Sequence, residues 1–279
     1  ASGVANEGQI ASTPSPTLRK TDSGPIFYGR HRVRLILPKP GPLGVVMPTT
    51  MPESLADKVI AEKIAGWEES RKQVTVQRDR GTIEIFPFLT VARQLGCGEE
   101  ALVSQLEKML GWKVYGSNLL NHLAQRESLS RSFLQTLDEH SLNHIDDWVN
   151  FLIRSGAILQ EDYVIQISRL MKVIIAQESA IIIGRGANHI LADKKQGLHV
   201  LLVAPLEDRV KNIAALRQIS ESEAEKTIKS VDQEREEFQK RYFDQHAIDC
   251  SKFDASFNTS ALSHDTICET IALMLKSKK

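Results

Sequence analysis

Residues 93 to 100 read Arg93-Gln94-Leu95-Gly96-Cys97-Gly98-Glu99-Glu100 and follow directly on an apolar run. A glycine-bearing turn between a strand and a helix turns backbone N–H groups toward one point. The helix start adds its positive end, and a Lys or Arg normally neutralises the outer phosphate oxygens. Gly96 and Gly98 supply the backbone part of such a phosphate cradle. The charge is wrong: no Gly-Lys dipeptide occurs anywhere in the chain, and Glu99 and Glu100 stand where a cation is wanted. Two like charges about 4 Å apart, at an effective dielectric near 20, repel by roughly 4 kcal/mol, and a polyphosphate would meet energy of that sign. On local sequence alone the competing reading is a tight strand-to-helix turn, with the glutamates favouring a helix N-terminus.

A second residue is out of place. Ala224, Ile228, Val231, Phe238 and Tyr242 make one helical stripe, and Arg235 falls on it. An inward arginine needs an anion, either a phosphate or a buried Asp. The alternative is a charged surface helix with one snorkelling side chain. Ser220 and Glu223 form a capping-box pair that sets a helix start there. His140 and His144 are spaced i, i+4 on an expected helix, but no third metal ligand stands at a standard spacing, so they read as surface histidines. Cys97 reads as a small residue in the loop rather than a reactive thiol. Trp112, Trp148 and Phe151 read as core or interface.

These residues need elements to hold them. Ile83–Val91, Ala180–Ile183 and His199–Val203 read as buried strands, with near-continuous apolar runs. Helices are expected over Glu53–Arg71, Glu100–Leu110, within 117–177, across a long charged segment at 205–243, and over 262–277. Strands alternating with helices give an α/β fold with a parallel sheet. The chain of 279 residues has 35 basic and 35 acidic side chains, so no global basic field points to nucleic acid. Three cysteines outside any CxxC spacing argue against a disulfide framework and fit a reducing, cytoplasmic setting. No apolar run is long enough for a membrane span. Residues 1–25, rich in Ser, Thr, Pro and Gly, read as a disordered tail. Residues 26–80 read as an extended arm plus a helix, with Arg32–Leu37 as a short strand and Arg30, His31, Arg32 and Arg34 as a small basic cluster. Met47 and Met51 stand just ahead of that helix as candidate starts of the native chain. Residues 81–279 form the main domain.

Three downstream stretches, in order, carry a resemblance: Ala180 to Asn188 with Gly184-Arg185-Gly186, Leu198 to Val210, and Asp232-Gln233-Glu234-Arg235 with Lys240-Arg241-Tyr242-Phe243 and later Asn258-Thr259-Ser260. Together with the loop they resemble the cytidylate kinase-like family of P-loop nucleoside monophosphate kinases, over about 85–275. The resemblance implies a P-loop NTPase-type parallel sheet flanked by helices. It also implies a helical insertion at 117–177 on the monophosphate side and a lid. It places the phosphate loop on Arg93 to Ala101, with Arg93, Gly96, Cys97 and Gly98 in the binding positions. There the family pattern, close to R-x-F-G-S-G-G-R-E, has a glycine and a basic residue where this chain has Glu99 and Glu100. The family's Tyr-Asp appears as Tyr115-Gly116, without its carboxylate.

By the same resemblance Arg185 contacts the monophosphate. Arg209, Arg235 and Arg241 lie around the lid that closes on ATP phosphates, and Asp232 holds Mg²⁺ or an arginine. Phosphoryl transfer relies on neutralised charge, and losing one cation commonly costs several kcal/mol of transition-state stabilisation. The expectation is a weak or inactive kinase with a structural or regulatory role and a protein partner through residues 26–80. The alternative is an active kinase that uses ATP and Mg²⁺ to phosphorylate CMP or dCMP.

Overall fold

A computed structural model describes residues 53–73, 85–125, 127–134, 137, 139–192 and 195–278. All lie in the compact unit Met47–Lys279. The tail, the basic cluster and the short strand at Arg32–Leu37 lie outside the described residues.

Five strands form one sheet: β1 (Phe88–Arg93), β2 (Lys113–Tyr115), β3 (Ala180–Ile183), β4 (Gly197–Val203) and β5 (Ala255–Asn258), in the spatial order β2-β3-β1-β4-β5. Every pairing is parallel, with Phe88 opposite Ala180 on one side and Gly197 on the other. The central strand alternates faces, as period-2 geometry requires. Phe88 joins one core with Tyr115, Ile182 and Ile174, while Leu89 and Val91 join another with Ile181, Val200 and Leu202.

Helices cover both faces. The first core is closed by α1 (Glu53–Gln73), α3 (Ser117–Gln125), α4 (Glu127–Leu134), α5 (Glu139–Arg154) and α6 (Asp162–Gln177). Almost every residue of α6 from Val164 to Ala176 that faces a neighbour is apolar and buried. The second core is closed by α2 (Glu99–Leu110) and α10 (His264–Ser277), through Leu102, Leu106, Ile267 and Ile271. The remaining helices are α7 (Ala187–Ile190), whose Ala187 and Ile190 join the first core, α8 (Leu206–Arg217) and α9 (Glu221–Phe243). A third cluster, Leu95, Val210, Ile213, Ala224, Ile228 and Val231, joins the last two helices to the loop after β1.

Several sequence expectations are corrected. The first strand starts at Phe88 rather than Ile83 and runs on to Arg93, with 85–87 irregular and 83–84 outside the described residues. The charged segment 205–243 is two helices, because Gln218 takes a left-handed conformation (φ 54°) and ends α8. The capping box at Ser220 and Glu223 is present and starts α9. The edge strands β2 and β5 have no counterpart in the sequence reading. Trp148 is buried and Trp112 half-buried, whereas Phe151 is about half exposed.

From β1 the chain moves outward to β2, returns through β3 and then crosses β1 to β4. The crevice at the carboxyl ends of β1, β3 and β4 is therefore the topological switch point, where α/β sheets bind ligands.

Candidate phosphate-binding site

The loop after β1 is fixed by side chains of α8 and α9 and by the backbone just after β4. Ala204 N–H donates to Gln94 Oε1 (3.2 Å), and Asn212 Nδ2 donates to the Gly96 carbonyl (2.8 Å). Leu95 N–H donates to Asp232 Oδ1 (3.4 Å), and Arg209 Nη1 donates to Asp232 Oδ2 (2.6 Å) and to the Leu95 carbonyl (3.4 Å). Gly96 has φ 85°, and a Cβ there would come 2.7 Å from the Arg209 carbonyl oxygen. The loop thus lies directly on α8. Gly98, at φ 77°, is the N-cap of α2 and turns the chain into the helix.

Above this floor three arginines converge. Arg93 reaches from the end of β1 across to the loop after β3, where a Cβ on Gly184 would collide with Arg93 Nη1. Gly184 N–H donates to the Val91 carbonyl (3.0 Å), which ties the loop after β3 to β1. Arg235 Nη1 on α9 donates to the Arg93 carbonyl (2.8 Å). Arg185, a non-glycine residue at φ 52°, sets its guanidinium 5.1 Å from the Phe238 ring centre. Burial first, then the like charges of Arg235 and Arg185, lowers the Arg93 pKa to about 10, while Glu99 opposes the shift. Arg93 remains a cation at neutral pH. Arg235 is also pushed down, chiefly by burial, with Glu99 and Asp232 restoring it.

Glu99 is the anion that faces Arg93, while Asp232 lies 3.9 Å from Arg235. Glu99 Oε1 lies 3.8 Å from Arg93 Nε, its Oε2 accepts from the Cys97 thiol (3.7 Å), and its side chain is 16% exposed. Glu100 points to solvent. The expectation that two carboxylates would confront a ligand is therefore corrected to one. Arg93 Nε and Arg185 Nε are buried and hydrogen-bond to nothing in the protein. Such unmatched donors fit an anion with several acceptor oxygens.

The remaining site residues of the sequence reading fall elsewhere. Arg209 is 7% exposed and serves the loop floor with Asp232. Both Asp232 oxygens are engaged there, so its carboxylate holds an arginine and a backbone amide. Arg241 pairs with Glu161 (3.1 Å) and lies over Tyr242, on the outer end of α9. Cys97 is buried, and burial followed by the charge of Glu99 pushes its thiol up to about 12, far from a reactive thiolate. Among the described residues no group of three or more His, Cys, Asp or Glu is placed to hold a metal. Sequence reasoning missed Asn212, which carries no motif, and it missed His264, whose Nε2 would lie 3.3 Å from a Cβ on Gly98.

A parallel sheet with a glycine loop leaving its central strand, helices on both faces and arginines gathered over the loop defines a P-loop kinase-type fold. A model of the cytidylate kinase-like family matches residues 88–261, and the chain belongs to that family. A cytidylate kinase from Sulfolobus acidocaldarius is 32% identical over 134 residues, which cover 46% of this chain and 71% of the relative. An uncharacterized protein from Eubacterium ventriosum has a similar structure, with a TM-score of 0.54 and 19% identity, over 68% of this chain and 98% of that one. No helix among the described residues is long and apolar enough to cross a membrane.

Proposed function

We propose that this chain is a nucleotide-binding protein of the cytidylate kinase type whose phosphoryl transfer is weak. The observation that carries this reading is the convergence of Arg93, Arg185 and Arg235 over a glycine loop in which Glu99 and Glu100 stand where the family has a glycine and a cation. The arginines supply fixed positive charge for phosphate oxygens, and Arg93 spans the loops after β1 and β3. Bound with ATP, Mg²⁺ would add charge neutralisation on the phosphates. Asp232 is not free to hold it directly, because Arg209 and the Leu95 amide occupy its oxygens. A loop without its own cation loses several kcal/mol of transition-state stabilisation. The role that suits such a protein is structural or regulatory, with residues 26–80 as the segment that meets a partner.

Calorimetric titration of ATP, ADP, CMP and dCMP with Mg²⁺, followed by a coupled assay of CMP phosphorylation, tests the reading. Nucleotide binding with turnover well below roughly 1 s⁻¹, the lower end for kinases, is expected. Turnover in the ordinary range of about 1–100 s⁻¹ would establish the second reading, an active kinase moving phosphate from ATP to CMP or dCMP. That reading is favoured by the same unmatched donors on Arg93 and Arg185.

A further inference from the structure

We propose that Glu99 determines which anions the arginine site accepts: its carboxylate is the site's resting counter-ion, and a ligand binds by taking its place. The inference rests on the reading of the arginines as a phosphate site.

Three observations lead to it. First, position: Glu99 is the first residue of α2, immediately after the left-handed Gly98, where a phosphate would meet the helix start. Second, company: Glu99 faces Arg93 at 3.8 Å, and of the acidic side chains acting on Arg235 its charge acts most strongly. Third, the bond is loose. At 3.8 Å the Arg93–Glu99 contact is an ion pair without a hydrogen bond, and Arg93 Nε stays unmatched beside it. Two carboxylate oxygens do not satisfy the donors that the cluster presents. A phosphoryl group has three acceptor oxygens and up to two charges, and so has more to offer the same donors.

Exchange follows from charge. With Glu99 in place, a second anion meets its like charge at close range. With Glu99 swung out, Arg93, Arg185 and Arg235 face the ligand, and the remaining carboxylate, Asp232 at 3.9 Å from Arg235, is already bonded to Arg209. A monoanion gains little over the carboxylate it replaces, whereas a phosphate dianion gains a full charge. The site therefore discriminates by charge before it discriminates by base. Glu100, one residue on, points to solvent and takes no part.

The test uses inorganic phosphate and pyrophosphate as probes, which separates this inference from any question of base or turnover. Each is titrated calorimetrically into the full chain and into Glu99→Gln, Glu99→Asp and Glu100→Gln, with acetate as the monoanion. Glu99→Gln should bind phosphate about tenfold tighter than the parent or more, and should also begin to bind acetate. Glu99→Asp, with its carboxylate drawn back by one methylene, should fall between. Glu100→Gln should change affinity by less than about twofold.

Equal phosphate affinity in the parent and Glu99→Gln would overturn the proposal, as would equal gains from Glu99 and Glu100. No binding by either the parent or Glu99→Gln would overturn it together with the phosphate-site reading. If Glu99→Gln is too unstable to purify, the Glu99→Asp arm decides by the same criterion. A tighter Glu99→Gln that still fails to phosphorylate CMP supports the exchange while counting against the active-kinase reading.

Discussion

At the residue scale, Gly184 and Arg93 form an interlocked pair across two loops. A methyl group at position 184 would strike Arg93 Nη1, and the backbone there is left-handed at φ 72°. A non-glycine residue in that conformation costs about 1–2 kcal/mol before any clash is counted. Gly184→Ala should therefore lower the melting temperature by several degrees and weaken phosphate binding about tenfold, read by calorimetry. Unchanged affinity would remove Arg93 from the site. Arg235 was legible because a charge on an apolar stripe contradicts amphipathic patterning. Glu99 was only half legible: its identity shows a wrong charge, but not that the side chain turns inward to Arg93 while Glu100 turns outward. That direction is set by where Gly98 starts the helix.

At the element scale, what could be read was what the sheet buries on both faces. β3 is a continuous apolar run and β4 is interrupted only by His199, and their bounds in the structure differ by two residues or fewer from the sequence reading. The edge strands β2 and β5 are three and four residues long, with exposed positions, and gain their extended form from pairing with β3 and β4 rather than from their own pattern. The break between α8 and α9 carries neither Gly nor Pro at position 218, so only the start of α9 announced itself. That start is a Ser220–Glu223 capping box, in which the Glu223 N–H donates to the Ser220 hydroxyl and the Ser220 N–H donates back. Ser220→Ala should cost about 1 kcal/mol. Because α9 carries Asp232 and Arg235, the variant should also raise hydrogen exchange at the Leu95 amide. Loss of stability without change at Leu95 would uncouple the cap from the loop.

At the scale of the whole molecule, one buried and one half-buried histidine set an acid limit. Burial lowers His199, which shares a 2.7 Å hydrogen bond with Thr90, to about 4, and lowers His189, stacked on Phe243, to about 4 as well. Both are neutral in the fold, whereas the unfolded chain takes up their protons below about 6.5. The histidines' contribution to stability is therefore full above pH 6.5, falls by up to about 1.4 kcal/mol per pH unit for each ring as pH drops toward 4, and levels off below that. Thermal melts between pH 8 and pH 4 should show this fall, and His199→Asn should flatten part of it. A flat profile through that window would mean that neither ring is held neutral. The parallel register has a consequence during synthesis. Leu89 pairs with Ile181 and Leu198, roughly ninety and 110 residues further along the chain. At about 5–20 residues per second, a translating ribosome leaves the central strand without either neighbour for roughly 5–20 s. For that time an apolar strand with both edges open is available to any other nascent chain, so yield in the cell should depend on chaperone supply more than on the stability of the finished fold.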